Sequence, residues 1–150
     1  MPTISPLSIS GGRVDRMKDR IAFTLPSHPK YLCMVRDLTV RMGQIAGIAE
    51  EEVEEIKLAV DEACSNVIKH AYKGDTTKRI VVQFRVSRKG FEVVIDDSGL
   101  KADPAAVRGR DLNDVKPGGL GVHFIRRTFD IVEFDLRKQT GNRLRLIKNI

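Results

Sequence analysis

The run LAVDEACSNVIKHAY, from Leu58 to Tyr72, closes a helical pattern that begins near Glu50. Val53, Ile56, Val60, Ala63, Val67 and Ala71 recur at steps of three and four, which predicts one amphipathic helix over Glu50–Ala71 with these residues facing a core. Glu50, Glu51, Glu52, Glu54 and Glu55 crowd its first turns, where the helix dipole favours negative charge. Glu62 and Asn66 stand four residues apart, so their side chains leave the helix about 40° from each other, on one flank of the apolar stripe. By themselves they would read as solvated surface residues.

Two later motifs change that reading. Asp97-Ser98-Gly99 follows an apolar strand pattern, and Gly118-Gly119-Leu120-Gly121 opens another helix. A carboxylate and a carboxamide on one helical flank can divide a single task. Glu62 can take a proton from an attacking hydroxyl, while the Asn66 amide oxygen, a hard ligand, holds Mg²⁺ that bridges phosphates. Asp97 at a strand end would read the base, and the glycines let backbone N–H groups approach phosphate at a helix N-terminus. Together the motifs describe a magnesium-nucleotide site. Each alone has a plainer explanation: Asp96-Asp97-Ser98-Gly99 is good β-turn chemistry, and the glycine run could be a simple loop-to-helix junction. No GxxxxGK[ST] occurs, so this is not a Walker loop.

In this order and spacing the chain resembles the GHKL ATPases, which carry an Asn box on a helix, an Asp-x-Gly box and a later Gly-x-Gly box. Leu58–Tyr72 is most similar to the bacterial anti-sigma-factor serine kinases of the RsbW/SpoIIAB type, and the likeness extends from about Phe23 to the C-terminus. The resemblance implies an ATP-dependent serine/threonine kinase, cytoplasmic and homodimeric. Such a protein sequesters a sigma factor and phosphorylates an anti-anti-sigma antagonist of the STAS type, with ATP and Mg²⁺ as cofactors. It implies Glu62 as catalytic base, Asn66 as metal ligand, Asp97 and Gly99 as adenine contacts, and Gly118, Gly119, Leu120 and Gly121 as the phosphate loop. Two departures stand out. Lys101 replaces a usual second glycine and becomes a candidate phosphate contact, and Thr140-Gly141-Asn142 stands where Gly-Thr is common, so a hydroxyl contact is expected to be missing or relocated. These departures motivate a second reading, a non-catalytic sequestering module. A third, the detached ATP-binding lobe of a histidine kinase system, lacks a phosphoacceptor pattern around His28, His70 or His123.

Composition narrows the classes further. At 150 residues the chain suits one compact domain, expected over residues 21–150 after a mobile Pro/Ser/Gly-rich tail over 1–20. No apolar run approaches the roughly 20 residues of a membrane span, nor does the N-terminus show a signal-peptide core. The net charge of +6 suggests nucleic acid, but the basic residues are scattered and aromatics make up only 5% of the chain, with no Trp for a stacking platform. Cys33 and Cys64 are far apart and belong to no CxxC or Cys/His cluster, so both read as reduced, helix-packed thiols.

The remaining elements follow from pattern and breakers: a strand over Arg20–Leu25, a helix over Lys30–Ala46 and a hairpin of Lys78–Ser87 with Gly90–Asp96. Beyond the hairpin come a polar loop over Leu100–Pro117, read as an ATP lid, a helix over Leu120–Thr128, and strands Ile131–Leu136 and Asn142–Ile147. This order is not the βα alternation of a parallel sheet. It predicts an α+β two-layer sandwich of the GHKL (Bergerat) type, with a mixed, mostly antiparallel sheet and helices on one face.

Overall fold

The computed structural model describes residues 20–102, 120–135 and 137–150. The expected N-terminal tail, most of the lid segment, and Gly118 and Gly119 lie outside the described residues. The elements are β1 (Arg20–Pro26), α1 (Leu32–Ile45), α2 (Glu50–Asn66), β2 (Arg79–Ser87), β3 (Gly90–Asp97), α3 (Leu120–Thr128), β4 (Ile131–Phe134) and β5 (Asn142–Asn149). The strands form one sheet in the order β1-β2-β3-β5-β4, and every pairing is antiparallel.

Alternation along the strands divides the sheet into a buried and an open face. Ile80, Val82 and Phe84 of β2, Phe91, Val93 and Ile95 of β3, and Leu144 and Leu146 of β5 share one face by register and are all buried. Against them pack Val35 and Met42 of α1, Ile56, Val60 and Ala63 of α2, and Ile125 of α3, giving the two-layer sandwich expected from the sequence. The opposite face carries a charged ladder, in which Arg145 pairs with Glu92 at 2.9 Å and Arg143 with Asp96 at 2.8 Å.

Most elements agree with the sequence pattern, and four features differ. Pro29–Tyr31 forms a 3₁₀ turn before α1, with His28 accepting the Lys30 N–H as its cap. β4 stops at Phe134 and β5 continues to Asn149. The second helix is not α-helical throughout: from Val67 to Ala71 it widens into a π turn, closed by Tyr72 N–H donating to Val67 O at 2.9 Å. The fourth concerns a thiol: Cys64 is buried, but Cys33 is exposed on α1 and donates to Lys30 O, so only one cysteine is packed. Burial without a partner pushes the Cys64 thiol up to about 12, which keeps it neutral and inert.

Phe84 lies at the centre of the core, fully buried between the rings of Phe23 and Phe91, at centroid distances of 6.3 and 6.0 Å. Phe84→Ala should therefore destabilise the fold by about 3–5 kcal/mol, read as a shift of the urea midpoint at constant slope. A loss below about 1 kcal/mol would mean that the sheet and helices do not close on this ring.

Candidate functional site

β3 ends in two aspartates that face opposite ways. Asp97 continues the core-facing series Phe91, Val93, Ile95, whereas Asp96 faces the open side and its ion pair with Arg143. Asp97 is only 5% exposed, a carboxylate at the end of an apolar row. Such a group persists only if donors surround it. Gly99 N–H donates to its Oδ1 at 2.9 Å, and the Asn142 amide reaches both of its oxygens at 3.0 and 3.2 Å. Lys138 Nζ lies close by, donating to the Asp97 carbonyl at 2.8 Å and pairing with Asp96 at 3.4 Å.

Burial raises the Asp97 carboxyl above its ordinary range, while the Gly99 N–H, the Asn142 amide and the Lys138 ammonium each pull it back down. A carboxyl whose folded pKa exceeds its unfolded value holds its proton more tightly when folded. The contribution of Asp97 to stability is thus fullest below the unfolded pKa and is lost as pH rises through the folded one.

The loop after Asp97 is braced from the far end of the second helix. Tyr72, 6% exposed, accepts the Ser98 N–H on its hydroxyl at 2.9 Å and donates that hydroxyl to Arg79 O. The π turn leaves Ala71 O outside the helical ladder, and Leu100 N–H takes it at 2.8 Å. Gly99 sits so close that a Cβ there would lie 2.4 Å from the same carbonyl, which explains the glycine without any appeal to ligand. The sequence pattern alone assigns no task to Tyr72 or Lys138. A tyrosine at a helix end two turns past a polar pair was the available signal.

α3 meets α2 at the other box. A Cβ on Gly121 would stand 2.1 Å from Glu62 Oε1, so the backbone of the first turn of α3 lies directly against the Glu62 carboxylate. The neighbouring Asp61 is committed elsewhere, paired with Arg36 of α1 at 2.9 Å. Glu62 and Asn66 are half-buried, and neither side chain is hydrogen-bonded to another described residue. Both keep their polar atoms available.

Thus the structure brings Glu62 to Gly121 and Asp97 to Gly99, at two stations along one helix. Lys101 is turned to the β4–β5 connection, where its ammonium donates to Lys138 O. His70 is exposed, and His123 buries an Nε2 that has no hydrogen-bond partner among the described residues. A cavity of about 370 Å³ lined by Arg20, Glu92, Asp135, Arg143 and Arg145 opens on the other face of the sheet and includes none of these residues.

Residues 25–148 match the histidine kinase-like ATPase domain family. The chain is 32% identical over 126 residues to the serine-protein kinase RsbW of Listeria innocua, covering 78% of this chain and 80% of that protein. It is 30% identical to the serine-protein kinase RsbW of Bacillus subtilis, over 76% of each. The chain belongs to the histidine kinase-like ATPase family, among the RsbW-type serine kinases. Membership in this ATPase family implies ATP binding. The Asp97 carboxylate already accepts from Gly99 and Asn142, and close-set glycine backbone flanks Glu62.

Because Asp97 is raised by burial, acidification should weaken nucleotide binding at a pH above that at which an exposed aspartate titrates. Asp97→Asn should lose about 1.5–3 kcal/mol of binding free energy and flatten that pH dependence, as calorimetry with ATP across the acid range would show. An unchanged affinity would leave Asp97 as a turn residue.

Proposed function

We propose that this RsbW-type kinase transfers the γ-phosphoryl group of ATP to a serine of a small STAS-type anti-anti-sigma protein, and in its other state sequesters a sigma factor. The observation that carries the reading is the apposition of Glu62 and the Gly121 backbone on one helix flank, with Asn66 one turn further and the buried Asp97 beyond. In this reading a proton acceptor, a hard oxygen ligand, a backbone cradle and a base acceptor act together on one nucleotide.

In this reading Glu62 accepts the proton of the attacking serine hydroxyl as the new oxygen–phosphorus bond forms and the bridging bond to ADP breaks. Asn66 offers its amide oxygen to Mg²⁺, which when bound neutralises charge on the phosphates. No group of three or more His, Cys, Asp or Glu side chains among the described residues could hold a metal by itself, so the ion would be held jointly with the phosphates and water. Asp97 and Gly99 receive the adenine, and Gly118, Gly119, Leu120 and Gly121 supply backbone toward the phosphates. So few groups suffice because phosphoryl transfer depends on positioning and charge stabilisation.

The partners, a sigma factor and its antagonist, place the protein in the bacterial cytoplasm, and we take the working form to be a homodimer. Among the described residues no helix is long and apolar enough to cross a membrane. The surplus of cationic side chains suits acidic protein partners and a triphosphate rather than nucleic acid.

Two variants test the assignment. Glu62→Ala should abolish transfer, by about 10²–10⁴-fold in single-turnover rate, while ATP and sigma-factor binding persist. Retention of the wild-type rate would remove Glu62 from catalysis, and a wild type that binds a sigma factor yet phosphorylates no antagonist would make the protein a sequestering module only. Gly121→Ala forces its Cβ against the tip of the flexible Glu62 side chain, so it should displace the carboxylate at little cost to folding. Transfer should fall at least about tenfold with the thermal midpoint nearly unchanged. A folded variant that transfers normally would show that this contact does not position Glu62.

A further inference from the structure

Asp97 and Asn142 are direct cross-strand partners on the core-facing side of β3 and β5. The Asn142 amide nitrogen lies 3.0 and 3.2 Å from the two Asp97 oxygens and 2.8 Å from Leu100 O, while its amide oxygen accepts the Ala102 N–H at 2.8 Å. An amide has two N–H hydrogens. One is therefore shared across the carboxylate and the other goes to Leu100 O, so every polar atom of Asn142 is used. A hydroxyl, with one hydrogen, could serve the carboxylate or Leu100 but not both.

The two Asp97 oxygens are consequently unequal. Oδ1 accepts from Gly99 N–H at 2.9 Å and from the shorter arm of Asn142, whereas Oδ2 takes the longer arm, and the Asn142 backbone N–H also acts on the carboxyl. Oδ2 is the oxygen with capacity left for an external donor. Lys138 fixes the backbone beneath the pair by donating to Asp97 O at 2.8 Å and Asn142 O at 3.2 Å, so neither residue is free to swing.

We infer that Asn142 is a positioning residue that sets base selectivity. It holds the Asp97 carboxylate with Oδ2 presented to an exocyclic amino group, and it ties that orientation to Leu100 and Ala102, where the chain leaves the sheet. The inference rests on the nucleotide reading of the site, and it assigns a task to the very residue at which the sequence departs from its family. The selected ligand class is a 6-aminopurine nucleotide, preferred over a 6-oxopurine. Asn142 itself touches no base. Its effect passes through Asp97, whose raised carboxyl it draws back toward the ionised, accepting form.

The test compares ATP with ITP, which differ in the 6-amino or 6-oxo group and in the N1 proton that accompanies the latter, on wild type, Asn142→Ala and Asn142→Thr. Wild type should prefer ATP, and Asn142→Ala should cut that preference at least about tenfold by weakening ATP while leaving ITP unchanged. Asn142→Thr should retain most of the preference, because one hydroxyl hydrogen still serves the carboxylate. In nucleotide-free protein, carbon-13 titration of Asp97 should show its pKa moving up in Asn142→Ala, and the Ala102 amide should exchange faster in both variants. Equal weakening of ATP and ITP, an unmoved Asp97 titration, or unaltered Ala102 exchange would overturn the inference. Binding of neither nucleotide by wild type would instead defeat the nucleotide reading, with the ligand-free titration still deciding whether Asn142 governs Asp97.

Discussion

A carboxylate at the end of an apolar strand is the constraint around which this molecule is arranged. Asp97 follows Phe91, Val93 and Ile95 on the same face of β3, yet is 5% exposed. Desolvating such a group without donors costs far more than a single hydrogen bond returns. Four separate segments converge to prevent that: the Gly99 amide, the Asn142 side chain, the Lys138 ammonium, and the Tyr72 hydroxyl that holds the Ser98 amide beside it. Their convergence fixes where β3, β5, the β4–β5 connection and the end of the second helix meet.

The same convergence dictates the path of the long helix. α-Helical to Asn66, it widens into a π turn over Val67–Ala71, and this frees Ala71 O to bind Leu100 N–H. With one end anchored to the Asp97 loop and the middle packed on the sheet through Ile56, Val60 and Ala63, the helix has no freedom to rotate Glu62 away from α3. Gly121 then meets the Glu62 carboxylate as a consequence of packing. Site geometry and core packing are one problem here, since a shift of the helix large enough to relax the core would also separate Glu62 from Gly121.

Much of this was legible in the sequence. The steps of three and four from Val53 to Ala71, the alternation of Ile80, Val82 and Phe84, and the breakers at Pro26 and Gly90 sufficed for the two-layer architecture. Glu62, Asn66, Asp97 and Gly121 could be chosen because four-residue spacing and strand-end position are local properties. What stayed hidden was long-range pairing. Nothing local says that Asn142 lies opposite Asp97, that Lys138 reaches two carbonyls across the strands, or that Lys101 turns toward the β4–β5 connection. The π turn was hidden for a related reason: its apolar spacing fits an α-helix, and the hydrogen bond from Leu100 N–H to Ala71 O beside it is a tertiary contact. The absent hydroxyl of the Gly-Thr pattern looked like a loss, yet the amide in its place makes more bonds than a hydroxyl could.

The central claim is that nucleotide lies along the second helix, between Glu62 and Asp97, on the side of the sheet that carries the core. Amide chemical-shift mapping with magnesium and ADP tests it most directly, because each backbone position reports separately. The account predicts that shifts concentrate at Asn66, Ser98, Gly99 and Gly121, with the open-face positions Glu133 and Arg145 silent. Shifts centred on the open face, around Arg143, Arg145 and Asp135, would contradict it.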